Sequence, residues 1–172
     1  MTSSSPAAAV ARLVRRCFAL FEQIPYSLIA FLGRFSIAAV FWLSGQTKVE
    51  GFAIDLIGGS VQLGWPHLSD SAISLFQTEY ALPLLPPALA ALMAAIAEHV
   101  FSTMLLLGIG SRFAALGLLG MTSVIEIFVY PDAYPTHGTW ATILLLIIWR
   151  GPGWLSLDHW ISRRFVANPV GR

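Results

Sequence analysis

The sequence predicts an all-α membrane protein: a transmembrane four-helix bundle with interfacial amphipathic helices at both termini and a partly helical outer loop. Three observations predict this fold class: four long apolar stretches, few charged residues, and no alternation of polar and apolar residues within the stretches. Hydrophobic residues make up 56% of the 172 residues and charged residues 11%, whereas a soluble domain carries about 25% charged residues. Continuous apolar runs favour helices, because the strands of a membrane barrel alternate.

The four apolar stretches approach the length of about 20 residues that a helix needs to cross a hydrocarbon core of about 30 Å. They comprise residues 27–45, 82–107, 113–130 and 136–149. We therefore expect a transmembrane domain at residues 27–150. Its outer loop, at about residues 46–81, is interrupted by a Gly-Gly pair and a Gly-Trp-Pro sequence, and Ser69 or Asp70 can begin a short helix within it.

Both ends of the chain are predicted to lie outside the transmembrane domain. Residues 1–8 are small and polar, which predicts a disordered start. Residues 9–24 carry apolar side chains on one helical face and arginines on the other, a pattern typical of a helix that lies in the membrane surface. The start and this helix form a first region, residues 1–26, and an amphipathic tail follows the last span at residues 151–172.

The distribution of arginine predicts the orientation of the spans. Arg112 lies in the short turn between the second and third stretches, and other arginines flank the first and the fourth. The two opposite connections contain only one basic residue, Lys48. The positive-inside rule then places both termini in the cytoplasm. The net charge of +1 gives no indication of nucleic-acid binding, and the arginine clusters fit anionic lipid headgroups.

Several kinds of chemistry are not indicated by the sequence. Cys17 is the single cysteine, so neither a disulfide within the chain nor a Cys-x-x-Cys redox motif is present. The histidines are widely spaced, and no close pair of metal ligands occurs, so we predict no metal site. A haem held by His99 and His137 is a weak alternative.

Charged residues within the apolar stretches identify the first candidate site. Arg34 lies about 10 Å along the first span, and Glu98 lies about 13 Å from the end of the second. Since charges in a bilayer need partners, the similar depth predicts an Arg34–Glu98 ion pair. His99 lies at the same level but about 100° around the helix.

A second polar layer is expected near the outer face. Lys48 follows the first span, Glu126 ends the third, and His137 and Trp140 begin the fourth. The spacing predicts a Lys48–Glu126 contact within a cup that the outer loop covers. Such groups can bind a polar head such as a quinone ring, or handle protons. They can equally only fix the register of the helices, and Trp140 can be an interface aromatic.

The chain resembles the DoxX family of small membrane proteins over residues 30–160. The resemblance rests on short sequences in a fixed order. They are Arg34, Ser44-Gly45-Gln46-Thr47-Lys48, Glu79-Tyr80-Ala81-Leu82-Pro83, Glu98, Gly108-Ile109-Gly110-Ser111-Arg112, Phe128-Val129-Tyr130-Pro131-Asp132-Ala133-Tyr134-Pro135-Thr136-His137, Trp140 and Gly151-Pro152-Gly153-Trp154-Leu155-Ser156-Leu157-Asp158.

The resemblance implies a multi-pass protein of the bacterial inner membrane, linked to membrane redox systems. Members include a subunit of a thiosulfate:quinone oxidoreductase and part of a complex for oxidative and thiol stress. The positions that carry over are Arg34, Lys48, Glu98, Arg112, His137 and Asp158. A structural motif comprises Arg112, Gly151, Pro152, Gly153 and Asp158. Because no cysteine pair is present, catalysis by this chain alone is not expected.

Two functional hypotheses follow. The first is a quinone-interacting or accessory subunit of a membrane oxidoreductase, in which Glu98 or His137 hydrogen-bonds the quinone. The second is a non-catalytic membrane anchor or assembly factor for partner proteins. Both expect contact with the lipid bilayer and a protein partner, and both leave a homo-oligomer open. A deep apolar cleft that reaches Glu98 or His137 favours the first, and a filled bundle with an exposed apolar patch favours the second.

Overall fold

The computed structural model describes residues 6–55 and 59–166, and these are mostly helical. The helices are α1 (Pro6–Phe21), α2 (Tyr26–Gln46), α3 (Asp70–Leu75), α4 (Pro87–Leu107), α5 (Ser111–Phe128), α6 (Tyr134–Arg150) and α7 (Leu157–Val166). Strands β1 (Val49–Asp55) and β2 (Ser60–Leu68) separate α2 from α3. A π-helical turn (Phe76–Tyr80) follows α3, and a 3-10 turn (Pro131–Ala133) precedes α6.

The four long helices α2, α4, α5 and α6 pack against one another. Helix α2 contacts α4 and α6, and α5 contacts the same two helices. Glycine allows the closest approaches: a β carbon at Gly117 of α5 would lie 2.4 Å from the Phe101 ring, and one at Gly45 of α2 would lie 2.8 Å from the His99 ring. Small residues let helix axes approach in the same way in membrane proteins. The shared core consists of Ile37, Ala38, Phe41, Leu105, Ala114, Ala115, Leu118, Leu144 and Ile147.

Three of these helices are long and apolar enough to cross a membrane. Within the described residues they are α2, α4 and α5, with 21, 21 and 18 residues. Helix α6, with 17 residues, is one residue shorter than α5. Large apolar side chains cover the outward faces of the three candidate spans, including Phe35, Ile96 and Leu116, each more than half exposed.

The outer loop contains a β-hairpin, so the prediction of an all-α protein is wrong for this segment. Strands β1 and β2 pair in antiparallel register from Val49 opposite Leu68 to Asp55 opposite Ser60, with an irregularity after Glu50. The Gly-Gly pair at 58–59 predicts only that the loop is broken into pieces. The flanking β-branched and aromatic residues are instead typical of paired strands. The predicted helical part of the loop corresponds to α3 and the π-helical turn.

Helices α1 and α7 occupy the regions in which amphipathic helices are predicted. Helix α1 begins at Pro6, so residues 6–8 of the predicted disordered start are helical, whereas residues 1–5 lie outside the described residues. The last residues of the predicted tail, 167–172, also lie outside them. Both helices expose large apolar side chains, among them Leu13 (63%) and Phe18 (59%) in α1 and Trp160 (72%) in α7.

Arg34 joins α2 to the end of α4. Its guanidinium group, in a side chain that is 1% exposed, donates to the carbonyl oxygen of Leu105 at 2.8 Å and to that of Leu155. The last carbonyls of a helix lack partners within the helix and carry its negative dipole end, so a buried arginine is stabilised there without a carboxylate. We call this region, where α2 begins and α4 ends, the arginine end of the molecule.

The predicted Arg34–Glu98 ion pair is therefore wrong. Glu98 hydrogen-bonds Ser44, which lies ten residues after Arg34 in α2 and hence about 15 Å further along the helix axis. The predicted depths rest on the assumption that α2 begins level with the end of α4. In the structure α2 begins beyond that end, and this offset places Arg34 level with Leu105.

Asp158, at the start of α7, closes the arginine end. Its carboxylate accepts hydrogen bonds from the backbone nitrogens of Gly110 (2.7 Å) and Ser111 (2.9 Å), and thereby caps the start of α5. Its own backbone nitrogen donates to the carbonyl oxygen of Gly108 at 2.7 Å. Gly108 has a φ of +72°, and a β carbon there would lie 2.6 Å from the Ser156 β carbon.

Replacement of Gly108 by alanine should destabilise the protein by about 2–5 kcal/mol, because a left-handed conformation costs about 1–2 kcal/mol and overpacking about 1–3 kcal/mol. Gly59→Ala is the matched control, since Gly59 has a φ of +68° and a β carbon there would meet no atom of the described residues within 4 Å. The control should show only the conformational cost. Unfolding midpoints of both variants in detergent measure the difference, and equal losses would contradict the close approach of Gly108 to Ser156.

Candidate functional site

A largely apolar cavity of about 240 Å³ lies between the end of α2, the π-helical turn, α4 and α5. Three of its lining residues carry polar side-chain groups: Lys48, Tyr80 and Glu98. The other lining residues are Phe76, Leu82, Leu85, Ala90, Met93, Ala94, Ala97, Met121, Val124, Ile125 and Val129. Small-molecule sites are typically of this kind, with apolar walls and a few polar groups that fix the orientation of the ligand.

Lys48 and Glu98 form a buried ion pair at this cavity. The two residues are 4% and 2% exposed, and Lys48 Nζ lies 2.9 Å from Glu98 Oε1 and 2.8 Å from Oε2. Lys48 Nζ also donates to the carbonyl oxygen and the hydroxyl oxygen of Ser44, at 3.1 and 3.0 Å. The three hydrogens of the ammonium group therefore all have acceptors within the protein.

The carboxylate of Glu98 can accept a further hydrogen bond, because each of its oxygens carries two lone pairs. Its Oε1 accepts from Ser44 Oγ at 3.0 Å as well as from Lys48. Its Oε2, although close to the lysine, accepts no well-directed hydrogen bond from any described residue. Buried oxygens of a carboxylate normally accept such bonds. Glu98 is thus the group of the pair that can accept a hydrogen bond from a ligand.

Tyr80 supplies a donor on the same cavity. Its hydroxyl group makes no hydrogen bond with the residues that the structure describes. Burial, together with the negative charges of Glu98 and Glu79, raises the pKa of Tyr80. The phenol consequently remains protonated at neutral pH and available to donate. A ligand in this cavity therefore meets one acceptor, Glu98, and one donor, Tyr80.

The π-helical turn that carries Tyr80 has an unusual backbone. The backbone nitrogen of Ala81 donates to the carbonyl oxygen of Phe76 at 3.1 Å, five residues back. Ala81 and Leu84 have positive φ values of 36° and 72°, which few residues other than glycine adopt. Both features recur at functional sites, where strained backbone is held by its surroundings.

Tyr130 connects this turn to the end of α5. Its hydroxyl group donates to the carboxylate of Glu79, and its ring packs edge-on against Tyr80, with 6.0 Å between ring centroids. The hydrogen bond to Glu79 raises the pKa of Tyr130 to about 12. These contacts hold the π-helical turn against α5 beside the cavity.

His99 lies outside the cavity and links α4 to the β-hairpin. Its Nδ1 faces the carbonyl oxygen of Ala95 at 2.7 Å and must donate to it, and its Nε2 accepts from Gln46 Nε2 at 2.7 Å. The amide oxygen of Gln46 accepts from the backbone nitrogen of Ile54 at 2.8 Å. This chain of bonds requires neutral His99 with the hydrogen on Nδ1.

Glu126 and His137 form a separate pair, so the predicted Lys48–Glu126 contact is wrong. Glu126 Oε2 lies 2.6 Å from His137 Nδ1, and the His137 ring packs on Trp140 with 5.0 Å between centroids. Lys48 lies against α4, whereas Glu126 faces the start of α6. The predicted cup is thus two separate polar sites, and only the Lys48–Glu98 pair lines the cavity.

Two residues of the site are absent from the sequence-predicted set. In the sequence Tyr80 and Ser44 stand out only as members of the short sequences that carry the family resemblance. Ser44 and Lys48 are four residues apart across the end of α2. This spacing is the signal that could have predicted a contact between these two residues. No group of three or more metal-ligating side chains occurs within residues 6–55 and 59–166.

Removal of Lys48 alone should be strongly destabilising, by about 3–5 kcal/mol, because it leaves Glu98 buried without a counter-charge. The double variant Lys48→Met/Glu98→Leu should recover most of that loss. Glu50→Gln is the control, because the Glu50–His67 pair is 63% and 60% exposed and contributes little. Unfolding midpoints in detergent test this, and a Lys48→Met loss as small as that of the control would refute it.

The Glu79→Gln change should lower the pKa of Tyr130 from about 12 towards about 10. Since the folded-state value is the higher one, the hydrogen bond stabilises the protein fully below pH about 10, and this contribution is lost as the pH rises towards 12. Absorbance titration of phenolate measures the shift, with Tyr130→Phe to assign the signal. Identical titrations of wild type and Glu79→Gln would argue against this hydrogen bond.

Comparison with known proteins identifies the family to which the chain belongs. The family model described as DoxX matches residues 29–131, from α2 to the 3-10 turn, and this range includes both Lys48 and Glu98. No curated protein and no solved structure matches the chain significantly. The match covers more than half of the chain, and it agrees with the three helices that are long and apolar enough to span a membrane. The chain therefore belongs to the DoxX family of membrane proteins.

Proposed function

We propose that this protein is a quinone-interacting accessory subunit of a membrane redox system, and that it binds the quinone or quinol head between Glu98 and Tyr80. One observation carries the proposal. Among the residues that the structure describes, the apolar cavity is lined by a carboxylate that can accept a further hydrogen bond, Glu98, and by a hydroxyl group without a partner, that of Tyr80, beside a lysine whose three hydrogens all have acceptors. A ring with a hydroxyl group on one side and a carbonyl or hydroxyl oxygen on the other satisfies both.

The size of the cavity fits a head group rather than a whole lipid-soluble quinone. Its 240 Å³ lies below the range of about 300–1,000 Å³ that encloses complete small ligands. An isoprenoid tail would therefore lie outside, along the apolar surface of the helices. Met93 lines the cavity and is 53% exposed, so it provides a continuous apolar path from the cavity to that surface.

The proposal includes a four-span arrangement in the bacterial inner membrane with both termini in the cytoplasm. Helix α6 has 17 residues and a length of about 26 Å, close to the hydrocarbon thickness of about 30 Å. It packs against α2 and α5, two candidate spans. In this arrangement residues 27–150 form the transmembrane domain, and α1 and α7 lie on the cytoplasmic membrane surface.

Redox chemistry in this proposal belongs to the ligand and to a partner subunit. Cys17 is the single cysteine of the chain and is exposed, so thiol exchange within the chain is not available. The chain's own groups would orient the ring and accept or donate its protons. Glu98 would accept from a quinol hydroxyl, and Tyr80 would donate to the opposite oxygen.

A non-catalytic anchor or assembly factor is the alternative function. The observation that favours it is the uncovered apolar face of α1, where Leu13 and Phe21 are 63% and 64% exposed. Such a face can lie in the lipid surface or against a partner helix. The alternative requires no ligand in the Lys48–Glu98 cavity.

Native mass spectrometry of the protein extracted with its own lipids should reveal a bound quinone. We expect Glu98→Gln and Tyr80→Phe each to reduce quinone occupancy by about tenfold, because each removes one hydrogen bond of the head group in an apolar site. Glu126→Gln is the matched control, since it makes the same chemical change at a carboxylate that does not line the cavity.

The outcome separates the two functions. Quinone retained by the control and lost from both cavity variants supports the redox role. Wild-type protein that carries no quinone but retains a protein partner rejects it and favours the anchor. Equal loss in all three variants also rejects the proposed site, because the effect would then be one of general stability.

A further inference from the structure

A second cavity lies at the arginine end, where α2, α5 and α6 present their termini. This cavity, of about 660 Å³, is distinct from the one that contains Lys48 and Glu98. Its volume lies within the range of about 300–1,000 Å³ that is typical of small-molecule sites. Its charged lining residues are Arg112, Arg150 and Asp158, together with His159.

We propose that this cavity binds a phosphate group through Arg112 and Arg150, and that the phosphate is the headgroup of an anionic phospholipid. Arginine is the side chain best suited to phosphate, because its planar guanidinium group donates two parallel hydrogen bonds. Two guanidinium groups on the walls of one cavity supply the charge that a phosphodiester requires.

The two guanidinium groups are held in place without a carboxylate partner. The Arg112 group lies against Gly151, where a β carbon would be only 3.4 Å from its Nη2, and donates to the carbonyl oxygen of Trp149 at 3.4 Å. The Arg150 group lies 4.6 Å above the ring centroid of Tyr26. In the part of the chain that the structure describes, no carboxylate lies within ion-pair distance of either one.

Asp158 offsets only one of the two arginine charges of the cavity. Both of its carboxylate oxygens already accept backbone hydrogen bonds, from Gly110 and Ser111. Ser111 also lines the cavity, and its hydroxyl group, which is buried, has no partner among the described residues. The two arginines and the one carboxylate give the cavity a net positive charge. The guanidinium groups also have N–H groups that no carboxylate among the described residues accepts from.

The surroundings favour a lipid as the source of the phosphate. The cavity lies where three long helices begin or end, and its flanks expose Phe113 (78%) and Trp149 (75%). Exposed aromatic residues at helix ends are typical of the headgroup level of a bilayer. A lipid whose phosphate contacts the arginines could place its acyl chains along these apolar surfaces.

Native mass spectrometry in detergent with added lipid tests the proposal. Wild type should bind phosphatidylglycerol more tightly than phosphatidylcholine, and Arg112→Gln/Arg150→Gln should weaken phosphatidylglycerol binding by about tenfold or more. The control Arg163→Gln/Arg164→Gln removes the same charge from exposed positions of α7 that do not line the cavity, and it should retain wild-type binding. If the double variant folds poorly, Arg150→Gln alone serves as the test, because the Arg150 side chain makes no hydrogen bond to the residues that the structure describes. This single variant should also bind phosphatidylglycerol more weakly than wild type.

Soluble glycerol phosphate distinguishes the two sources of the ligand. Binding of phosphatidylglycerol that depends on Arg112 and Arg150, with no competition from glycerol phosphate, supports a lipid site. Competition at millimolar glycerol phosphate with the same dependence assigns the site to soluble phosphates and overturns the lipid source. Equal losses in the cavity variant and the α7 control overturn the site itself, because diffuse surface charge would then explain the binding.

Discussion

Lys48 and Glu98 place two opposite charges, both almost completely buried, between the end of α2 and the middle of α4. Charges in such surroundings lose several kcal/mol of hydration each, about as much as the attraction between them returns. The pair is therefore stable only with further hydrogen bonds, which Ser44 supplies through its hydroxyl and its carbonyl group. This requirement fixes the register of α2 against α4, and with it the position of the hairpin that follows α2.

The same pair determines what the adjacent cavity can recognise. A lysine with free hydrogens would favour an acceptor or an anion, but all three hydrogens of Lys48 are used. The remaining capacity lies on Glu98, which accepts, and on Tyr80, which donates. The chemical character of the cavity thus follows from the way in which the ion pair is satisfied, and a neutral ring with oxygen atoms on both sides matches it better than an ion does.

The sequence was sufficient to predict the long helices, because runs of about 20 apolar residues have few other solutions. It also selected both members of the ion pair as candidate site residues, with Glu98 as a charge within a span and Lys48 in a separate polar layer near the outer face. It failed on their partners, since helix lengths alone do not reveal that α2 begins beyond the end of α4. Because of this offset, the partner of Glu98 is Lys48 and not the predicted Arg34.

The hairpin and Tyr80 could not be predicted for a related reason. Glycine pairs end helices and also join strands, so local sequence did not distinguish the two structures in the outer loop. The π-helical turn has hydrogen bonds that span five residues, such as the one from Ala81 to Phe76, and no sequence period signals them. Tyr80 reaches the cavity through that irregularity, and a regular helix would direct its side chain elsewhere.

The contacts of Arg34 also bear on the order in which the chain assembles. One of its acceptors, the carbonyl oxygen of Leu155, lies 121 residues later in the sequence. During synthesis, α2 is therefore complete long before the last group that its arginine requires has been made. Until α4 and the segment after α6 have arrived, this helix carries an incompletely bonded charge, so its final burial is a late event in the biogenesis of the protein.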